Sequence, residues 1–222
     1  NQVNAHPQVS GDGKFAVVHN GIIENFARLK QELIQKGCTF VSETDTEVVA
    51  QLLAWYYSQC GDVFEAVNQM LSRVEGSYAL GILCADTPDR IIAARKDAPL
   101  LLGYGEGENF IASDAMAVGG TTDRIVYVHE GDVVDVRPDS WQVYERTEAG
   151  EFIPADREVK VVHAYAGAVE LGPYRHFMQK EIFEQPQVIV DGLSGRLNAA
   201  RDTVLLPELD ALPVPRRLHI VA

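Results

Sequence analysis

The 222 residues carry 19 Lys and Arg against 32 Asp and Glu, a formal charge of −13, which argues against a nucleic-acid partner because binding a phosphate backbone needs a basic face to displace counterions. Hydrophobic residues make up 46% and charged residues 23%, a balance that excludes disorder and supports one large domain, or one domain with part of another. No apolar run approaches the ~20 residues that cross a bilayer, and no charged-then-apolar leader opens the chain, so no membrane partner is expected.

The chain begins Asn1-Gln2-Val3-Asn4-Ala5-His6-Pro7, without Met, and stops in the apolar run Leu218–Ala222, which reads as a buried strand starting up. A segment of a longer polypeptide is the expectation. Phe15–Val18 predicts a strand, and His19-Asn20-Gly21 after it predicts a turn, since Asn and Gly tolerate positive φ. Helical spacing runs from Ile22 through Ile23, Phe26, Leu29, Leu33 and Ile34 to Gly37 as the stop. Phe40-Val41 predicts a strand. Thr44-Asp45-Thr46-Glu47 has the capping-box pattern, and the helix it opens fades near Cys60-Gly61. Phe64, Val67, Met70, Leu71 and Val74 form the stripe of a further helix.

From Ser77 the period becomes that of strands: 78–83, 90–94, 100–103 and 109–112 come in close succession and predict antiparallel neighbours. Runs 124–128 and 132–136 around Glu130-Gly131 predict one hairpin, and 141–144 with 152–153 around Ala149-Gly150 predict another. The pattern breaks at 164–173. Beyond it a helix interrupted near Gln185-Pro186 is expected, then the strand at Leu218, as at the opening of an α/β unit.

Few residues carry chemistry. Asn20-Gly21 pairs a side-chain amide with a backbone N–H, the equipment of an oxyanion hole, although an ordinary turn needs the same dipeptide. Asp45 stands in the first turn of its helix, where the dipole alone favours a carboxylate; it also suits the α-ammonium of an amino acid. His6 and His19 read as structural histidines with the capacity to shuttle protons. Cys38, Cys60 and Cys84 are odd in number, lack the spacing of a zinc site, and have no neighbouring cation in sequence to activate a thiol. Three reduced thiols in a cytoplasmic protein are expected. No metal, nucleotide or serine-nucleophile motif occurs, and no cofactor is called for.

Taken together, Val3–Pro7, His19–Asn25 and Ser42–Glu47 resemble the class II glutamine amidotransferases, and 107–114 with 174–182 resemble the branch that feeds ammonia to a sugar-phosphate isomerase. The resemblance implies an α+β, N-terminal-nucleophile fold: two stacked antiparallel sheets between helical layers. It implies a partial glutaminase domain over 1–163, a linker over 164–173 and the beginning of an isomerase domain over 174–222. It further implies that Asn20 and the Gly21 N–H form the oxyanion hole, that Asp45 holds the glutamine amino group, and that His6 borders the substrate. The partners implied are glutamine and fructose 6-phosphate, with a homodimer formed through the isomerase domains.

In that family the nucleophile is an N-terminal Cys, followed by an Arg-Trp-x-Thr-His-Gly loop. Neither stands ahead of Val3, so the segment alone is expected to be inactive, with an open sheet edge and uncovered apolar surface where the family's first strands would lie. Another class II amidotransferase, such as an amidophosphoribosyltransferase or glutamate synthase relative, and a non-catalytic regulatory module of the same fold are the alternatives.

Overall fold

A computed structural model describes residues 2–162 and 171–193, and the backbone alone at 197–198 and 203–204. The chain divides into two compact units, Asn1–Val169 and Glu170–Ala222.

The first unit opens with β1 (Gln8–Val9) and β2 (Phe15–Ile23), followed by helices α1 (Phe26–Gln35), α2 (Asp45–Cys60) and α3 (Val63–Leu71). Strands β3 (Gly76–Cys84), β4 (Thr87–Lys96), β5 (Leu101–Tyr104) and β6 (Asn109–Ala112) come next. The remainder is β7 (Arg124–Tyr127), β8 (Asp132–Val136), β9 (Trp141–Arg146), β10 (Phe152–Ala155) and β11 (Val159–Val161). One sheet of seven strands runs in the order β1-β2-β3-β4-β8-β9-β10, and a second of four runs β11-β7-β5-β6. Every pair within them is antiparallel.

Strand alternation sorts the core into layers. Phe15, Val17, Leu80, Ile82 and Ile92 pack against Leu29, Leu53 and Met70 of the three helices. The opposite faces of the first sheet, Ala79, Ala93, Val134 and Val143, meet Leu102 and Val126 of the second. The outer face of the second sheet, Leu101 and Ile125, is covered by Val118 and a single 3-10 turn at Ala115–Ala117. The two sheets come together over Gly81, where a Cβ would lie 2.7 Å from Ile111 Cδ1 and 2.9 Å from Val18 Cγ2. On the same inter-sheet side of β2 and β3, Val18 and Leu83 remain exposed.

Several sequence expectations are corrected. Asn20-Gly21 is no turn: β2 continues to Ile23, pairing Asn20 with Ala79 and Gly21 with Tyr78. Gly21 has φ +128°, and a Cβ there would stand 2.1 Å from Ser77 O, so the glycine serves a close approach of two strands. Ile22 and Ile23 therefore belong to that strand, one exposed and one buried. α1 starts only at Phe26, after Asn25 ties the corner down: its amide donates to Arg73 O and its Oδ1 accepts from Glu75 N–H.

Phe40-Val41 forms no strand. The N–H groups of Val41 and Ser42 donate instead to the two oxygens of Glu47, at 2.9 and 2.6 Å. Half of the capping box is thus present, with Thr44 Oγ1 accepting from Glu47 N–H at 3.3 Å, while the Glu47 carboxylate has been redirected to the preceding loop. The runs 124–128 and 132–136 form no hairpin, because β7 lies in the second sheet and β8 in the first. The crossing between them is pinned by Arg95, whose guanidinium donates to Ala98 O and Val128 O. Buried Asp132 pins it again by accepting from His129 N–H and from Arg157. The strands at 90–94 and 100–103 are likewise in different sheets, whereas β9 and β10 form the expected hairpin.

In the second unit, α4 (Phe177–Leu193) runs through Pro186 without a break. Pro deletes one backbone donor and costs about 3 kcal/mol in a helix interior. Side-chain pairs one turn apart bracket it, Lys180 with Glu184 and Gln187 with Asp191, and Tyr174 stacks on Phe183. Strands β12 (Leu197–Asn198) and β13 (Thr203–Val204) pair with each other. The expected strand at Leu218 and residues 164–170 of the expected boundary lie outside the described residues.

Glu47 is 2% exposed, so truncating it strands the buried N–H of Ser42 and also removes the partner of the N–H of exposed Val41. Glu47→Ala is expected to cost about 3 kcal/mol, read as a lowered midpoint in urea unfolding followed by tryptophan fluorescence. A loss below about 0.5 kcal/mol contradicts this role.

Candidate active site

The candidate residues converge where the end of β2 meets the start of α2. Asp45 is the first residue of α2, just after the Thr44 cap. Its Oδ2 accepts the N–H of Ile23 at 2.8 Å, which fastens the helix N-terminus to the strand end that carries Asn20 and Gly21. The next amide, Glu24 N–H, turns the other way and donates to Glu75 O. Asp45 Oδ1 has no partner among the described residues, and the side chain is 23% exposed. The carboxylate thus has one oxygen committed to the backbone and one available.

Thr46, the next residue, was not singled out by sequence. Its Oγ1 lies 3.1 Å from His6 Nε2 and 3.1 Å from His19 Nδ1, so one hydroxyl joins two imidazoles. The signal that pointed to it was only its place inside Thr-Asp-Thr-Glu, where Thr is equally at home as a first-turn residue. His19 is buried, with Nδ1 3.9 Å from Asp45 Oδ2. Burial pulls its pKa below the usual imidazole value, and the Asp45 carboxylate and the Ser77 backbone offset part of that pull.

A pocket of about 130 Å³ opens beside these groups. His6, His19 and Asn20 line it, together with Ile111 of β6 and the residues flanking the second sheet's strands, Leu100 before β5 and Ser113 after β6. The Asn20 side-chain amide makes no hydrogen bond among the described residues, leaving its donors free. Gly21 and Asp45 do not line the pocket; they stand at its margin, one residue beyond Asn20 and one residue before Thr46. No cysteine lines it either. Cys38 is half-buried, with burial pushing its thiol up, Cys60 donates to Asp62 O, and Cys84 is in the core. All three are unpaired. Among the described residues no cluster of His, Cys, Asp and Glu is arranged to hold a metal, and no helix is long and apolar enough to cross a membrane.

Comparison with known proteins decides the family. Residues 2–119, more than half of the chain, match the glutamine amidotransferase domain. The chain belongs to the glutamine amidotransferase family. Among similar proteins, glutamine–fructose-6-phosphate aminotransferase (isomerizing) of Bordetella pertussis is 50% identical over 194 residues, covering 86% of this chain and 31% of that protein. The enzyme of the same name from Legionella pneumophila strain Philadelphia 1 is 42% identical over 222 residues, covering 99% of this chain and 36% of that protein. The chain therefore spans about a third of the length of the curated relatives it matches.

Among solved structures, glutamine phosphoribosylpyrophosphate amidotransferase from B. subtilis, complexed with ADP and GMP, superposes with a TM-score of 0.56 at 23% identity. That match covers 67% of this chain and 33% of the other. An allosteric regulatory enzyme of purine biosynthesis does so at 0.51 and 23%, covering 65% and 32%. These likenesses establish the fold, the α+β amidotransferase sandwich of the N-terminal-nucleophile type.

The depressed pKa of His19 links pH to stability. Below about pH 6.5 the unfolded chain takes up a proton that folded His19 refuses. Stability from this group is complete above that pH and declines as pH falls through the lower folded value. The urea midpoint is therefore expected to drop between pH 7.5 and pH 5.5, about at the onset of imidazole protonation, and to drop less in His19→Gln. Equal slopes in the two proteins contradict the assignment.

Proposed function

We propose that this chain is the glutamine-binding half of an enzyme that releases ammonia from glutamine and passes it to fructose 6-phosphate, giving glucosamine 6-phosphate and glutamate. The similarity to enzymes named for that reaction supports the substrate pair. The observation that carries the site assignment is the Asp45–Ile23 bond, which puts a carboxylate with one free oxygen next to the strand end bearing Asn20 and Gly21.

Glutamine needs three things from such a site. Its α-ammonium needs a carboxylate, which the free oxygen of Asp45 provides; the pair gains because the carboxylate is largely shielded from water. The tetrahedral oxyanion formed on the side-chain amide carbon needs donors, and the unengaged Asn20 amide is one. The Gly21 N–H is the other: amides alternate across an antiparallel ladder, so Gly21 shares the side of Ile23, away from β3 and towards Asp45. Two such donors are worth about 3–4 kcal/mol each in the transition state. His6, anchored through Thr46, closes the pocket beside Asn20.

The third requirement is a nucleophile, and none of Cys38, Cys60 and Cys84 stands at the pocket. In this reading the thiol comes from an N-terminal segment preceding these residues, whose strands would cover the exposed Val18 and Leu83. Residues 1–163 are then the glutaminase part, 164–173 the linker and 174–222 the beginning of the sugar-phosphate isomerase domain. Assembly of a homodimer through those isomerase domains, in the cytoplasm, completes the reading.

Two outcomes test it. The 222-residue chain is expected to release no glutamate from glutamine above a heat-killed control. It is also expected to bind glutamine with a millimolar Kd, moving the amide resonances of Asn20, Gly21 and Asp45. Asp45→Asn weakens that binding by about tenfold or more, the equivalent of one charge-assisted contact. Glutamine hydrolysis by the chain, or binding unmoved by Asp45→Asn, overturns the proposal.

A further inference from the structure

Most cations of the first unit stand against carboxylates: Lys14 with Asp86, Arg28 and Arg73 with Glu32, Arg90 with Asp135, Arg157 with Asp132. One cavity gathers two cations that have no carboxylate partner, Lys96 and Arg146. It measures about 260 Å³ and lies at the end of the first sheet on the side covered by the helices. Its apolar floor is Leu71 and Val74, from the end of α3 and just beyond, with Ala94 and Val133. Lys96, Arg146 and Tyr78 stand around it.

The charges at this cavity are unevenly committed. Lys96 forms no ion pair or hydrogen bond with the described residues. Arg146 uses only its Nε, on Asn68 Oδ1 at 2.9 Å, and pairs with no carboxylate. Neither acid at the rim pairs with a cation of the cavity. Glu130 accepts the N–H of Asp97 with both oxygens at 3.0 Å. Asp132 is wholly buried and held by two bonds from Arg157. The Tyr78 side chain is 6% exposed, and its hydroxyl has no hydrogen-bond partner among the described residues. Burial pushes that phenol up to about 12, so it stays a donor across the physiological range.

Two half-buried cations without a carboxylate partner and a phenol without a hydrogen-bond partner, over an apolar floor, are a costly arrangement in a molecule with a surplus of acid. A dianion satisfies all three at once: a guanidinium fork and an ammonium each neutralise one charge, and the phenol gives a further donor. We propose that this cavity is a binding site for the phosphate group of a small organic phosphate monoester, with Arg146 and Lys96 on the phosphate oxygens, Tyr78 donating a third bond, and the organic body on Leu71, Val74, Ala94 and Val133.

Inorganic phosphate is the probe, titrated into the 222-residue chain at fixed ionic strength and followed by 1H–15N spectra. The amides of Tyr78 and Lys96 and the Nε–H of Arg146 move saturably, with a millimolar Kd. Succinate, a dianion of different shape, moves them far less. Lys96→Gln, which removes no ion pair or side-chain hydrogen bond among the described residues, weakens phosphate binding by about threefold to tenfold, as expected for one charge-assisted contact at a half-exposed site. Lys96→Gln with Arg146→Gln abolishes it, the dispersion of all other amides reporting an intact fold. No saturable response, a response to succinate as strong as to phosphate, or a Kd unmoved by Lys96→Gln overturns the proposal.

Discussion

The pairing of β2 with β3, nine residues from Phe15↔Cys84 to Ile23↔Gly76, fixes where every candidate group points. A slip of one residue would reverse every side chain of β2, sending Phe15 and Val17 out of the helix-facing core and His19 away from Thr46. Large apolar groups on that face make the slip expensive, since burying one such side chain is worth about 1.5–3 kcal/mol. Two glycines at the site end of the ladder, Gly21 opposite Tyr78 and Gly76 opposite Ile23, both have positive φ and both approach backbone oxygen of the opposite strand, Ser77 and Ile22. The close approach and the register belong together. Asp45 then couples this ladder to α2 by a single bond to Ile23, so the helix and the strand end hold their functional groups as one body.

The parts of the fold legible in the sequence were those decided by local chemistry. The Thr44 cap, the end of α2 at Gly61 and the β9–β10 hairpin follow from residues a few positions apart. Partners distant in sequence decided the rest. Asn20-Gly21 has the composition of a turn, yet β3 lies alongside and extends the strand through it. The 124–136 stretch has the composition of a hairpin, but Arg95 and Arg157, from elsewhere in the chain, hold a crossing between sheets there. Pro186 resembles a helix breaker when read alone, yet α4 runs through it; the flanking side-chain pairs, at about 0.2–0.5 kcal/mol each, offset only part of its cost.

The site was legible to a similar degree and for the same reason. Asn20 and Gly21 read as possible oxyanion donors and Asp45 as a possible partner of an ammonium group, His6 read as structural and joined the site only through the family resemblance, and all four stand near one strand end. The bond that unites them, Asp45 to the Ile23 N–H, spans 22 positions and has no signature in sequence. Thr46 carries no such signal, because a hydroxyl acquires a role only from what stands on either side of it.

That hydroxyl has a single hydrogen to give, and two imidazole nitrogens compete for it. If the hydrogen goes to His19 Nδ1, His6 Nε2 must donate to the oxygen; if it goes to His6 Nε2, His19 Nδ1 must carry a hydrogen of its own. One oxygen thus makes the placement of hydrogen on an exposed ring depend on its placement on a buried one.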